Sequence, residues 1–327
     1  MPAKGGWMAW SAKKKALIFG PIGLLIIALG VGLGVGLGLG LKESGGDDGS
    51  EGSGGSGSGE TGTGTGSGNG NGNGTTGGNT TAIWQPEVGT KWQIELLYVL
   101  NDTSVDADIY DIDLFDSPNS TITKLQEMGR KVICYFSAGT YEDWRKDADE
   151  FKASDLGDSL EDWPGEKWLD TNSKNVRKIM RQRLDLAQAK GCDGVDPDNI
   201  DGYNNKNGLG LTQDDATSYV KWLASQTHGR NMSLGLKNGG DIIDSVIDKM
   251  QWSVNEQCAV YKECDVYSAF INASKPVFHI EYPKGDDTNN DNTVSTKQRN
   301  SACNAAISGN FSTVIKNMDL DNWVQYC

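Results

Sequence analysis

Residues 191–201 read GCDGVDPDNID and place four aspartates within eleven positions. They are Asp193, Asp196, Asp198 and Asp201. Each carboxylate makes the ionisation of its neighbours more costly, so this crowding is typical of a solvated loop, an ion site or an active site. Asp198 follows Pro197, which fixes the backbone where a short β-branched run ends. The segment predicts carboxylate chemistry by Asp196 or Asp198 at a strand end, with Asp193 and Asp201 as turn residues.

Carboxylates are the main groups available for proton transfer. The chain has two histidines, and His279 lies inside an apolar run where a core histidine is expected. The sequence contains no G-x-S-x-G elbow, which disfavours a serine hydrolase, and no C-x-x-C pair, which disfavours a structural zinc site. We therefore expect no metal and no cofactor. Paired carboxylates are the usual catalytic groups of glycoside hydrolysis, and the abundant aromatic side chains suit sugar stacking or core packing.

The elements that must position these acids are short apolar or β-branched runs, each of which stops at polar residues. The runs span residues 92–100, 109–116, 131–139, 167–171, 194–199, 232–238, 252–257, 276–282 and 312–317. Segments 173–191 and 212–229 have the apolar spacing of helices, and Thr212 is a plausible N-cap. Strands that alternate with helices predict a parallel sheet. Eight or nine strands in about 245 residues predict a (β/α)8 TIM-type barrel.

Polar residues fall at or near the carboxyl ends of these predicted strands. In a barrel those ends converge on the face that carries the active site. We therefore expect the strand-end residues to meet in one cleft. They are Asp116, Ser137, Asp170, Asp196, Asp198, Lys237, Asn238, Asn255, Glu256 and Glu281.

Six motifs occur in a characteristic order and spacing between residues 84 and 282. They are KVICYFSAGTYEDWRKDADEF, DWPGEKWLDT, GCDGVDPDNIDGY, GLKN, VNEQC and VFHIEY. In these motifs the sequence resembles glycoside hydrolase family 114, the endo-α-1,4-polygalactosaminidases. The resemblance implies a (β/α)8 barrel that cuts α-1,4-linked galactosamine-containing polymers internally. Fungal members of the family attack galactosaminogalactan, and some of them have an N-terminal anchor and tether.

The resemblance also implies roles for individual residues. Asp198 corresponds to the nucleophile and Glu256 to the general acid/base of a retaining reaction. The family motif reads Glu-Pro-Asp-Asn, whereas this sequence has the shorter Asp196 at the first position. Further candidates for substrate binding, each of which could equally be a structural ion pair or cap, are Asp116, Tyr135, Arg145, Asp170, Asp196, Lys237, Asn255 and Glu281.

The chain carries a formal charge of −14 and has no basic cluster apart from lysines beside its first apolar segment. This composition argues against nucleic acid as a partner. An acidic surface favours a cationic ligand, although solubility alone also explains such a charge. A deacetylated or partly deacetylated galactosamine polysaccharide carries ammonium groups. It is therefore the expected partner, bound by a monomeric catalytic domain.

The first quarter of the chain has the composition of an anchor and a tether. Residues 16–41 form an uncharged apolar run long enough to cross a bilayer, where roughly 20 residues suffice. Lysines precede this run and acids follow it, which predicts a cytosolic stub at 1–15 and a single-pass type II membrane protein with its catalytic domain outside. Residues 42–81 are rich in Gly, Ser, Thr and Asn and predict a flexible, disordered linker before the catalytic domain at 82–327. The alternative is a cleaved signal and secretion.

Six cysteines all lie in the predicted catalytic domain, and an even number on the outward side predicts disulfides. Six cysteines allow fifteen pairings, which the sequence leaves open. The local choices are Cys258 with Cys264 and Cys303 with Cys327, which would leave Cys134 with Cys192. N-x-S/T sequons agree with secretion and occur at Asn79, Asn101, Asn119, Asn231, Asn272 and Asn310.

Three other interpretations remain open. Residues 285–292 imitate the start of an EF-hand calcium loop, but Asn292 occupies the position of the expected glycine, so a polar surface loop is favoured. A membrane-tethered carbohydrate receptor could use the same cleft without catalysis. A barrel glycosidase could also act on another hexosamine polymer, because the loops that shape the pocket cannot be derived from the sequence.

Overall fold

The computed structural model describes residues 83–161, 163–286, 288–304 and 310–327. The predicted cytosolic stub, transmembrane segment and linker lie outside these ranges. Within them, no helix combines the length and the apolar character that a membrane crossing requires.

Eight parallel strands form a barrel-like sheet, in agreement with the predicted fold class. A ninth strand, β12, pairs antiparallel to the last of them. The sheet order is β1-β2-β3-β7-β8-β9-β10-β11-β12. The strands are β1 (Trp92–Glu95), β2 (Ile109–Asp113), β3 (Lys131–Ser137), β7 (Gly194–Asp198), β8 (Ser233–Lys237), β9 (Trp252–Glu256), β10 (Val277–Glu281), β11 (Ser312–Lys316) and β12 (Val324–Tyr326).

The first and last parallel strands face each other and nearly close the sheet. The indole of Trp92 on β1 donates to the carbonyl of Ser312 on β11 over 2.8 Å. The Lys316 ammonium donates to Oε1 of Gln93 over 3.1 Å. Because all eight strands are parallel, their carboxyl ends lie at one edge of the sheet.

Helices cover the outside of the sheet in six of the seven connections between parallel strands, and a loop joins β1 to β2. The two helices expected from apolar spacing are confirmed as α2 (Lys174–Lys190) and α3 (Gln213–His228). Ser173 caps α2, and Thr212 caps α3 by accepting from the backbone N–H of Asp215. The helices are α1 (Asn119–Glu127), α2 (Lys174–Lys190), α3 (Gln213–His228), α4 (Ile243–Val246), α5 (Cys258–Tyr261), α6 (Cys264–Asn272) and α7 (Thr296–Asn304).

A three-stranded antiparallel sheet is inserted between β3 and α2. Its strands are β4 (Thr140–Glu142), β5 (Leu156–Ser159) and β6 (Glu166–Leu169), in the order β4-β6-β5. The run at 167–171, predicted as a barrel strand, belongs to this sheet instead. The apolar residues of this run cover the rim of the barrel. The run is therefore as apolar as a barrel strand. We call this three-stranded sheet and its loops the cleft wall.

The apolar core has two parts. One part contains residues from the strands and helices and lies between these two layers. The other contains no helical residue and fills the barrel interior, with Trp92 and Trp252 as its largest side chains. Trp252 lies against two glycines: a Cβ on Gly194 would come within 2.5 Å of its ring, and a Cβ on Gly235 within 2.1 Å. The absence of these two side chains makes room for the tryptophan.

Three disulfides join the six cysteines, and they follow the local pairing considered from the sequence. The bonds are Cys134–Cys192, Cys258–Cys264 and Cys303–Cys327. Cys134–Cys192 ties β3 to the segment just before β7. Cys258–Cys264 closes a short loop directly after β9.

Candidate active site

Three charged side chains meet at the carboxyl ends of adjacent strands β7, β8 and β9. They are Asp198, Lys237 and Glu256, each at the last position of its strand. All three line a cavity of about 1460 Å³. The predicted catalytic pair therefore occupies one cleft, with a lysine between its members.

The Lys237 ammonium bridges the two carboxylates. Its Nζ lies 3.4 Å from Oδ2 of Asp198 and 3.4 Å from Oε2 of Glu256, and the lysine side chain is only 2% exposed. The two oxygens are therefore at most about 6.8 Å apart. Burial alone would lower the pKa of Lys237, but Asp198 and Glu256 outweigh burial and raise it. The lysine remains a fixed positive charge.

Asp198 is held by hydrogen bonds from two sides. The Tyr135 hydroxyl donates to Oδ2 over 2.8 Å, and the backbone N–H of Asn199 donates to Oδ1 over 2.8 Å. Asn199 has a φ of +60°, which turns the chain sharply after the carboxylate. Gly139 permits this turn, because a Cβ at that position would lie 1.6 Å from the Asn199 carbonyl oxygen. The carboxylate is thus fixed in orientation and faces the cavity.

Glu256 has a matching set of donors. The Tyr282 hydroxyl donates to Oε1 over 2.6 Å, and the Asn238 amide donates to Oε2 over 3.3 Å. Burial would raise the pKa of Glu256, but Lys237 and these two hydrogen bonds lower it below its usual value. Glu256 is therefore ionised in the empty cleft at neutral pH.

A second pair of acids lies beneath the first. Asp111 on β2 and Asp196 on β7 are both fully buried, and each is close enough to the other to shift its pKa. Burial, reinforced by the charge of Asp196, raises the pKa of Asp111 well above its ordinary value. Burial raises the pKa of Asp196 to about 7, with Asp198 and Glu256 adding to the effect and Lys237 opposing it. Asp196 was expected in contact with substrate. In the structure its side chain is fully buried in the barrel interior below Asp198 and is not among the side chains that line the cavity.

The remaining predicted residues divide between the cleft and the scaffold. Asp116 and Tyr135 line the cavity, as does Arg145. Asp170 lies at the end of β6, outside the cavity, and its carboxylate accepts from the backbone N–H of Asn172. The expectation that Asp170 ends a barrel strand is therefore wrong.

Asn255 and Glu281 also have structural contacts. Asn255 is buried, and its Oδ1 accepts from the backbone N–H of Cys258 over 3.2 Å. Glu281 is buried beside His279, and its Oε1 accepts from the N–H of Ala259 over 2.8 Å. Both residues orient the chain after β9, and their contact with substrate stays a prediction.

Metal binding finds little support in the described part of the chain. Cys258, Cys264 and His279 lie close enough together to share an ion. However, the two cysteines form a disulfide, so neither offers a thiolate. In the loop considered for calcium, Asp287 lies outside the described residues, and the Lys284 ammonium donates to the Asn290 carbonyl over 2.5 Å. The positively charged side chain of Lys284 thus already occupies part of that loop.

The comparisons with known proteins agree with this geometry. A model of glycoside hydrolase family GH114 matches residues 74–327. The chain belongs to family GH114. The crystal structure of Aspergillus fumigatus Ega3 in complex with galactosamine is 70% identical, covers 77% of this chain and 100% of its own, and superposes with a TM-score of 0.75. A search of curated proteins found no match.

The fold extends to more distant hydrolases. The glycoside hydrolase domain of PelA from Pseudomonas aeruginosa is 14% identical, covers 72% of this chain and 98% of its own, and has a TM-score of 0.55. That likeness concerns the fold alone. Membership of GH114 makes this chain a glycoside hydrolase.

Several cleft residues of this GH114 chain were not predicted as site residues. Asp201, expected as a turn residue, lines the cavity, and burial together with Asp198 raises its pKa to about 6. Tyr282 follows β10 by one position and Asn199 follows β7 by one, so strand-end counting could have found both. Glu142 and Glu166 of the cleft wall carry no such signal, because their strands are not part of the barrel. Asp193 is structural, as expected, and accepts from the N–H of Val132 over 2.9 Å.

The cleft of this GH114 domain is strongly acidic. Eleven aspartate and glutamate side chains line it, against four lysines and arginines. Trp144, Trp163 and Trp168 of the cleft wall also line it. The acids would attract a cationic ligand, and the tryptophans offer flat apolar surfaces for sugar rings.

Proposed function

We propose that this protein hydrolyses internal α-1,4 bonds of a galactosamine-containing polysaccharide of the galactosaminogalactan type. The observation that carries the proposal is the pair Asp198 and Glu256, which face one acidic cleft on either side of Lys237. The binding of galactosamine by the related Ega3 supports the choice of sugar. The cavity exceeds the roughly 300–1,000 Å³ of small-molecule pockets, which favours a polymer bound along the cleft.

In the proposed mechanism, Asp198 attacks the anomeric carbon and forms a glycosyl-enzyme intermediate. Glu256 protonates the leaving oxygen and then activates water, which releases the product with retained configuration. The two oxygens lie at most about 6.8 Å apart, which is compatible with the spacing of about 5–5.5 Å in retaining enzymes and supports this choice. Tyr135 and Lys237 hold the nucleophile in its orientation.

The proposed acid needs a proton that it lacks in the empty cleft. A sugar chain in the cleft displaces water from Glu256, and this desolvation raises its pKa toward that of a general acid. Because Lys237 opposes this rise, we expect the highest activity at acidic pH.

We also propose the finer architecture. The eight parallel strands support a TIM-type (β/α)8 barrel in which a loop replaces the first helix. An anchor at 16–41 and a linker at 42–81 would hold this domain, as a monomer, outside the cell membrane. Three disulfides and the exposure of all five sequon asparagines in the described residues support an outward location.

The test is release of oligosaccharides from deacetylated galactosaminogalactan by the purified protein, compared with Asp198→Asn and Glu256→Gln. We expect both variants to fold and to lose essentially all activity. NMR of the first product should show the α-anomer. Release of oligosaccharides by both variants at the wild-type rate would refute the assignment, and a β-anomer would refute retention. Sugar binding without hydrolysis would favour a carbohydrate receptor.

A further inference from the structure

Two glutamates of the cleft wall face each other but have different surroundings. Glu142 on β4 and Glu166 on β6 are directly opposite in the antiparallel register. They are 4% and 8% exposed, so both are more than nine-tenths buried. Glu142 forms ion pairs with Arg145 at 2.8 Å and with Arg183 at 3.7 Å. No lysine, arginine or histidine among the described residues lies within ion-pairing distance of Glu166.

Glu166 has one side-chain hydrogen bond and faces the cavity. The Thr140 hydroxyl donates to its Oε2 over 2.7 Å, and the residue lines the cleft. Burial, reinforced by Glu142 and Asp198, raises the pKa of Glu166 to about 8, although Thr140 and Arg145 oppose the shift. The carboxyl group is therefore protonated at neutral pH in the empty cleft. A buried carboxyl without a cation is ready to ionise when a cation arrives.

A short chain of hydrogen bonds connects Glu166 to Asp198. The Asn199 side-chain amide donates to Oγ1 of Thr140 over 3.2 Å, and Thr140 in turn donates to Glu166. The backbone N–H of Asn199 donates to Asp198. Glu166 thus lies on the Asp198 side of the cleft. Glu256 is on the other side of Lys237.

The chemistry of the substrate matches this position. The nucleophile attacks C1 of the sugar, and the amino group of galactosamine is on C2, one carbon away. An ammonium on that sugar must therefore lie beside the Asp198 end of the cleft. Lys237, Arg145 and Arg183 are already paired with acids there, whereas Glu166 lacks a positive partner.

We propose that Glu166 binds the ammonium group of the galactosamine unit whose anomeric carbon faces Asp198, and that it thereby selects deacetylated sugar. The inference rests on the proposed function, since it takes Asp198 as the nucleophile. When the ammonium binds, the Glu166 carboxyl group gives its proton to solvent and forms an ion pair. An N-acetylated sugar presents a neutral amide and leaves Glu166 protonated.

Proton release measured by calorimetry tests this inference directly. Galactosamine is titrated into the unmodified protein at pH 6.5 in two buffers of different ionisation enthalpy, because an amine with a pKa of roughly 8 is already protonated at that pH. We expect release of about one proton per bound sugar, since the pKa of Glu166 in the empty cleft is about 8. N-acetylgalactosamine should bind without this release.

Glu166→Gln keeps the shape of the side chain and removes the negative charge that would form when the ammonium binds. This variant should bind galactosamine about 10- to 100-fold more weakly, without proton release, since charged hydrogen bonds contribute about 1.5–3 kcal/mol. It should also lose the preference for deacetylated over acetylated polymer. The control is Asp149→Asn, an exposed acid outside the cleft, which removes the same charge and should behave as wild type. A thermal melt of each variant checks folding.

The outcomes separate this inference from the hydrolytic function. Absence of proton release in the unmodified protein overturns the inference without any variant. Unchanged release or unchanged selectivity in Glu166→Gln overturns it as well, while hydrolysis by the wild type would leave the proposed function intact. Conversely, Glu166-dependent proton release without any cleavage of polymer would overturn the hydrolytic function and leave ammonium binding in place.

Discussion

Replacing Lys237 with methionine tests how far one buried ammonium controls the site. The substitution keeps the aliphatic stem and removes the charge between Asp198 and Glu256. Both carboxylates would then face each other across 6.8 Å or less, without a counter-ion and only 17% and 26% exposed. Removing one partner of a buried ion pair costs about 3–5 kcal/mol. We expect a Tm lower by about 6–20 °C for a domain of this size.

The pH dependence of this loss follows from Glu256. Lys237 holds the pKa of Glu256 below the ordinary value of 4.5, so its contribution to stability is fully present above that value and is lost as pH falls through the lower folded pKa. The gap between wild type and variant should therefore be widest near neutral pH and shrink below pH 4.5. Because the pKa of Glu256 rises without Lys237, the alkaline limb of kcat should move to higher pH.

Urea denaturation at pH 7 and pH 4, together with kcat against pH, measures both effects. Lys178→Met is the matched control, because Lys178 forms an exposed ion pair with Glu150 whose loss should change the free energy of unfolding by less than about 1 kcal/mol. A Lys237→Met protein within 1 kcal/mol of wild type at pH 7 would refute the reasoning. So would a stability gap that does not change with pH.

Three further substitutions test other parts of the structure. Burial raises the pKa of Asp196 to about 7, so the wild type should lose stability as pH rises from about 4 to 7. Asp196→Asn should not show this loss. Urea titrations across that pH range measure the difference. Gly139→Ala should lower kcat about 100-fold with the fold retained, because the new Cβ displaces Asn199; circular dichroism and kinetics test this. Replacing Cys134 and Cys192 by serine should cost about 4 kcal/mol in urea denaturation, since their bond closes a 58-residue loop.

The spacing of apolar residues along the sequence predicted the barrel strands but not the cleft wall. Runs such as 194–199 and 252–257 are buried on both faces, and β7 and β9 begin and end within one residue of the expected bounds. The run at 167–171 has the same apolar character because it packs over the barrel rim. Periodicity reports burial and cannot distinguish a parallel barrel strand from an antiparallel one.

Strand-end counting identified the charged residues that meet in the cleft, although it does not give depth or direction. Asp196 precedes Asp198 by two positions, so both point inward, but the former lies one level deeper in the barrel. Asn255 precedes Glu256 by one position and points away from the cleft. Glu142 pairs with the nearby Arg145 and also with Arg183, which is far away in the sequence, and no local pattern reports this second, long-range pairing.

The place of Trp252 in the barrel interior constrains how this family can vary. Its ring occupies the space that side chains on Gly194 and Gly235 would fill, so the three positions form one steric unit spread over β7, β8 and β9. A homologue with alanine at either glycine position must carry a smaller residue in place of Trp252. Evolution can therefore change these positions only together, and an alignment of relatives should show them covarying, although they are 17 to 58 residues apart in the chain.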